Sequence, residues 1–270
     1  PAGLEGDLPR DPEGAAVSLA DRADTLAGLF LAGEEPSGSG DPFAVRRAAL
    51  SLIRVLRDAP AAYPAHRSGW PSPQALLDRA LDGYRPDDET RAVVSGKLAD
   101  FVNDRLPHAF VGPSTPKGVV NAVLATRDGS HPVADTRQRI VDLAKAVGSG
   151  DYATLAAASR RVRRILAPEV REGRGTGLDP ALLTEPAEEG LHAMLERVEA
   201  EVRRCFAETR YFPAFQALAT LSPAIATFFD DVLVMAEDPA VRANRLALLA
   251  RLDALFSEVG DLSQIESSAS

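Results

Sequence analysis

A chain of 270 residues, 45% hydrophobic and 26% charged, can bury one large core or two ordinary ones. Its one cysteine, Cys205, excludes an internal disulfide framework, and no Cys and His cluster has the spacing of a zinc site. A formal net charge of -9 argues against a nucleic-acid partner unless the basic groups are concentrated, and apart from Lys97, Lys117 and Lys145 every basic side chain is an arginine.

Alternating Val, Ile and Thr runs between hairpin turns are absent, so the expected fold class is all-α. In chain order the apolar periodicity and cap residues predict helices at 12–31, 42–57, 73–82, 88–103, 116–125, 133–147, 151–166, 179–183, 186–208, 211–219, 222–229 and 239–258. Two Pro- and Gly-rich stretches punctuate them. The first, "APAAYPAHRSGWPSP" at 59–73, is the expected domain boundary, giving domains 1–66 and 67–270; the second, 167–180, reads as a long loop inside one domain.

The opening "PAGLEGDLPR" has neither the basic start nor the apolar run of a signal peptide. No window approaches eighteen uninterrupted apolar residues, so no membrane partner is expected, and the single cysteine fits a reducing, cytoplasmic setting. The chain begins without Met inside a loop, which reads as a piece of a longer polypeptide.

Three helices concentrate arginine. In "DPFAVRRAALSLIRVLRD" at 41–58, Asp41 is the expected N-cap and Pro42 the first helical residue. Val45, Ala48, Ala49, Leu52, Ile53, Val55 and Leu56 form one apolar arc. Arg46, Arg47, Arg54 and Arg57 project opposite it, either toward an anionic partner or as a solvated face bonded to Asp41 and Asp58. In the helix 151–166, Leu155, Ala158, Val162, Ile165 and Leu166 face a core and Arg160, Arg161 and Arg164 lie together on the far side, without the interposed acids of an ordinary solvated face. In "DPAVRANRLALLARLDALF" at 238–256, Arg245 falls inside the leucine arc; a buried guanidinium needs a carboxylate, and Asp230, Asp231 or Asp261 could supply it. Arg245 is therefore expected to be structural, leaving Arg242 and Asn244 as the freer polar candidates.

Catalytic motifs are missing. There is no P-loop, no GxSxG elbow, no HExxH and no Gly-rich turn after a strand, and His66, His108, His131 and His192 are scattered. No catalytic residue and no metal ligand is expected. Asp21 and Asp24 stand at i, i+3 in "AAVSLADRADTLAGLF", an ordinary amphipathic helix by itself. This helix resembles the closing "LADRL" helix of HD-superfamily phosphohydrolases, where the aspartate matching Asp21 completes a metal site. The upstream His and His-Asp ligands of that site are not in this chain, so a structural role is expected for Asp21.

Together, "ADRADTLAGLF", "GSGDPFAVRRAAL" and "FFDDVLVMAEDPAVRANRLALLARLDALFSEVGDLS" resemble the C-terminal part of the bacterial glycyl-tRNA synthetase β subunit. The likeness is close at 20–50 and 228–263 and looser between, where "GVVNAVLA" at 118–125 and "RRVRRIL" at 160–166 sit where that family has comparable helices. It implies the end of an HD-like domain followed by a helical anticodon-binding domain of the arginyl-tRNA synthetase type. It also implies tRNA for glycine and the separate α subunit as partners, ATP used only by the complete enzyme with no cofactor in this part, and Arg160, Arg161, Arg164, Arg242, Asn244, Arg46, Arg47 and Arg54 as tRNA-binding residues. The family usually has a Lys-Arg pair and an Asn in the helix matching 160–166; this chain has four arginines and no Asn there, which preserves phosphate binding but not an amide contact. The alternative reading is a noncatalytic helical protein-interaction scaffold.

Overall fold

The computed structural model describes residues 8–36, 40, 41, 43–66, 69–148, 151–168 and 177–265. Apart from an isolated bridge between Gly112 and Thr115, the described residues contain no β structure, and the all-α expectation holds. The α-helices are α1 (Pro12–Leu31), α2 (Val45–Ala62), α3 (Pro73–Tyr84), α4 (Asp88–Asn103), α5 (Leu106–Phe110), α6 (Lys117–Leu124), α7 (Val133–Val147), α8 (Asp151–Ile165), α9 (Pro186–Ala207), α10 (Tyr211–Ala219), α11 (Ser222–Asp231) and α12 (Pro239–Val259). Short 3-10 turns cover Pro64–His66, Pro180–Leu182 and Leu262–Gln264.

Where a side chain satisfies the first turn, the expected helix start is the observed one. Asp11, Ser72, Asp87 and Asp238 each accept a main-chain N–H from the turn that follows, at 2.7, 3.2, 2.8 and 2.8 Å. The start of α2 differs. The expected first helical residue, Pro42, lies outside the described residues, and α2 begins at Val45 behind Ala44, whose φ of 57° puts it in the left-handed region. The carboxylate of Asp41 accepts the N–H of Arg46, at 3.3 Å. At its other end α2 runs past the expected stop to Ala62, carrying Pro60 in its last turn.

The chain forms two compact units, residues 1–111 with 127–138, and residues 112–126 with 139–270. In the first, α1 packs on α2, α3 and α4, and the unit runs through the Pro-rich stretch 59–73. Its core is the α1 stripe Ala15, Leu19, Ala23, Leu26, Ala27 and Phe30 against the buried arc of α2, with Phe30 edge-on to Phe101 of α4 at 5.1 Å. In the second, α9 packs on α10, α11 and α12, and α8 on α10, α11, α12 and the final 3-10 turn. Tyr211–Asp231 is apolar enough in composition to cross a membrane, with a mean hydropathy of 1.3, but it breaks at Thr220 and Leu221 into α10 and α11 and buries Tyr211, Phe215, Leu218, Ile225 and Phe228. The helix α12 is apolar around most of its circumference, and eleven of its residues between Asn244 and Val259 are buried.

Candidate nucleic-acid interface

The arginines of α8 divide into two that are hydrogen-bonded to the fold and two that have no hydrogen bond or ion pair among the described residues. Tyr152, Leu155, Ala156, Ser159, Val162 and Leu166 are buried, at the spacing of one helix face. On the flank of that face Arg163 donates from Nε to Asp253 Oδ1 at 3.0 Å and from Nη2 to Ser257 Oγ at 3.3 Å, and it pairs with Asp261 through Nη1. Burial works against the Arg163 charge, but the carboxylates of Asp253 and Asp261 outweigh it and hold the guanidinium above its ordinary value. Arg160, expected on the outward side, is half-buried and donates to the carbonyl of Ile265 at 2.8 Å, because its stem lies along the C-terminal turn. Arg161 and Arg164 are exposed, and neither has a hydrogen bond or ion pair among the described residues. The Arg161 guanidinium carbon sits 4.0 Å from the ring centre of Phe229, a cation–π contact that fixes the charge while leaving its N–H groups open.

Phe229 leads into the connection between α11 and α12, which alternates in and out. Val232 and Val234 are buried, while Leu233 and Met235 are 70% and 60% exposed. Two arginines of α12 hold this segment by its carbonyls: Arg245 Nη1 donates to Leu233 at 2.8 Å and Arg242 Nη1 to Ala236 at 3.0 Å. Asp230, Asp231 and Glu237 flank it, exposed and without a cationic partner among the described residues.

Arg245 is buried, as expected, but its carboxylate is Glu188 of α9 and not Asp230, Asp231 or Asp261. The other oxygen of Glu188 accepts the N–H groups of Thr184 and Glu185, each at 2.9 Å, so the anion is fully satisfied inside the fold. The placement of Asn244 differs more. Expected among the freer groups, it is buried, and both ends of its amide are used by the main chain of Asp179. Arg242 is half-buried and partly committed to Ala236. The sequence reading missed Phe229, Leu233 and Met235; the alternation in "FFDDVLVM" was the available signal.

In the first unit the arginine stripe of α2 is mostly tied to protein. Arg57 chelates Asp58 at 2.9 and 2.7 Å and also donates to the Ala109 carbonyl. Arg54 Nε lies 3.9 Å from Asp58, buried and without a hydrogen-bond partner among the described residues. Arg46 donates to the Gly40 carbonyl at 2.9 Å. Arg47 is exposed and unpaired among the described residues. Asp21 is not an anchor: its side chain is 76% exposed and 3.9 Å from Arg22, which is itself bound to Ser18 and Ser51. Among the described residues no group of three or more His, Cys, Asp or Glu side chains could hold a metal ion.

The helical unit that carries these arginines falls in the class of anticodon-binding domains: residues 155–267 match the model of the DALR anticodon binding domain. Residues 1–125 match the glycyl-tRNA synthetase beta subunit. Over 270 residues the chain is 42% identical to the glycine–tRNA ligase beta subunit of Anaeromyxobacter dehalogenans (strain 2CP-C), covering 100% of this chain and 37% of that protein. It is 38% identical over 258 residues to that of Dechloromonas aromatica (strain RCB), covering 96% of this chain and 35% of the relative. It is 35% identical over 271 residues to that of Acidithiobacillus ferrooxidans (strain ATCC 53993 / BNL-5-31), covering 98% and 37%. The chain belongs to the bacterial glycyl-tRNA synthetase β-subunit family, as a C-terminal region that includes its anticodon-binding domain. It spans little more than a third of the length of these curated relatives.

Proposed function

We propose that this chain is a tRNA-binding part of a glycine–tRNA ligase and that its second unit holds the anticodon arm of tRNA for glycine. The observation that carries this reading is the pair Arg161 and Arg164, exposed and without a hydrogen bond or ion pair among the described residues, with Arg161 over the Phe229 ring in a unit that also exposes Leu233 and Met235. Phosphates take the guanidiniums, unstacked loop bases lie on the exposed Leu233 and Met235, and the carboxylates Asp230, Asp231 and Glu237, without a cationic partner among the described residues, accept from exocyclic amino groups of bases such as cytosine N4. Arg47, and to a smaller degree Arg46 and Arg54, extend phosphate contacts to the first unit, while Arg160 and Arg242 contribute through whichever N–H groups their carbonyl partners leave open.

Glycine activation and ATP belong to the α subunit in this reading, and the chain alone is noncatalytic, which agrees with a sequence lacking any nucleotide-cradling motif. Purified chain without α subunit is expected to give no glycine-dependent ATP–pyrophosphate exchange.

The deciding experiment is binding of tRNA for glycine by the parent and by Arg161→Gln/Arg164→Gln across roughly 50 to 200 mM salt. Parent affinity is expected to fall steeply with salt; the variant is expected to bind more weakly, with a log–log slope flatter by about 0.7 to 0.9 per lost phosphate contact. Equal affinity and equal slope would move the RNA surface elsewhere, and a parent with no salt-dependent affinity would favour the protein-interaction scaffold.

A further inference from the structure

A second polar site lies in the first unit, where the start of α2 meets α1 in a cleft of about 280 Å³. Its walls include Arg22, Thr25 and Asp21 of α1, Arg47 and Ser51 of α2, and Phe43 before α2. Arg22 is held in place: Nε donates to Ser51 Oγ at 2.7 Å, and Nη1 donates to the carbonyl and hydroxyl of Ser18 at 2.8 and 2.6 Å. Its Nη2 has no partner among the described residues.

Ser51 is only 9% exposed, accepts from Arg22, and has no acceptor for its own hydroxyl proton among the described residues. Ala44, the cap residue of α2, provides no side-chain cap, and of the first-turn N–H groups that of Arg46 is taken by the Asp41 carboxylate at 3.3 Å. A fixed guanidinium, a second one at Arg47 unpaired among the described residues, and a buried hydroxyl with an unused proton call for an oxyanion. Phe43, 51% exposed at the rim, offers a ring face to a flat group carried by the same ligand. Asp21 and the lone pairs of Thr25 can accept from ligand hydroxyls.

We propose that this cleft binds one nucleoside 5′-phosphate unit without a metal ion. The phosphate lies between Arg22, Arg47 and Ser51, the base lies on Phe43, and Asp21 accepts from the ribose. The same chemistry is offered by a free mononucleotide and by the terminal nucleotide of an RNA.

The test is titration of the 270-residue chain with AMP and CMP in the presence of EDTA, followed by calorimetry and NMR, with adenosine and cytidine as phosphate-free controls. One saturable site is expected for the monophosphates, with the nucleosides at least tenfold weaker. Arg47→Gln should weaken the monophosphates tenfold and leave the helical circular dichroism unchanged, since Arg47 is exposed and unpaired. Phe43→Ala should weaken monophosphates and nucleosides together. Competition by a trinucleotide RNA at affinity equal to or above that of CMP assigns the site to an RNA end; failure of that competitor assigns it to a free nucleotide. Arg161→Gln/Arg164→Gln should leave the mononucleotide affinity unchanged, separating this site from the proposed anticodon surface. Absence of saturable monophosphate binding, equal binding of nucleoside and monophosphate, or indifference to Arg47→Gln would overturn the proposal.

Discussion

Asn244 and Asp179 form a closed pair: Asn244 Oδ1 accepts the Asp179 N–H at 2.7 Å, and Asn244 Nδ2 donates to the Asp179 carbonyl at 3.0 Å. One buried amide thereby satisfies both main-chain groups of a residue 65 positions away and pins the start of the 3-10 turn Pro180–Leu182 to α12. Asn244→Ala is expected to cost about 1 to 3 kcal/mol, because it leaves those main-chain groups unsatisfied. Urea unfolding measures this. Affinity for tRNA under conditions where the chain stays folded should match the parent; a selective loss of binding without loss of stability would return Asn244 to the RNA surface.

Arg245 and Glu188 predict a larger loss. Removing the guanidinium strands a buried carboxylate, which commonly costs about 3 to 5 kcal/mol. Glu188 keeps the N–H groups of Thr184 and Glu185, so Arg245→Ala should fall near the lower end of that range. Arg245→Met with Glu188→Gln should recover part of the loss, because the stranded charge goes with the pair; a double variant less stable than Arg245→Ala would refute this account.

Arg163 links stability to acid. Burial pushes the Asp261 carboxyl up, but the Ser263 hydroxyl and the Arg163 charge together hold it below the ordinary aspartate value. A depressed carboxyl contributes stability above its unfolded value, about 3.9, and loses it as pH falls through the folded value. Arg163→Gln should therefore melt below the parent at neutral pH, with the gap constant down to about pH 5 and narrowing as Asp261 protonates. Melting temperature against pH is the measurement. A gap that widens on acidification would show that the pair does not set the Asp261 charge.

Two glycines give opposite expectations. A Cβ on Gly118 would stand 2.7 Å from the carbonyl oxygen of Gln264, where α6 meets the last 3-10 turn, so Gly118→Ala should destabilise by about 1 to 3 kcal/mol. Gly190 lies exposed within α9 with no atom within 4 Å of its Cβ position, and Gly190→Ala should stabilise by up to about 1 kcal/mol through helix propensity. Thermal denaturation of the two variants side by side reads both signs.

The sequence alone determined the helices and their class, because a helix is specified by neighbours: an apolar side chain every three or four residues and a cap at the start. That is why α1, α4, α7 and α10 fall at their expected residues. It also determined that Arg245 is internal, since the residue stands inside a leucine arc. It did not determine the partner, because Glu188 lies 57 residues away and no local pattern points to it. The start of α2 was misread: Asp41 has the chemistry of a cap, but Ala44 takes a left-handed turn and the helix begins after it, at Val45. On α8 the four arginines have the same formula, and only the tertiary structure separated their partners. Carboxylates from α12 and the chain after it reach Arg163, the carbonyl of Ile265 accepts from Arg160, and Arg161 and Arg164 have no hydrogen bond or ion pair among the described residues. A long guanidinium stem spans several ångströms in either direction, so whether it faces protein or solvent depends on which distant acids the fold brings within reach.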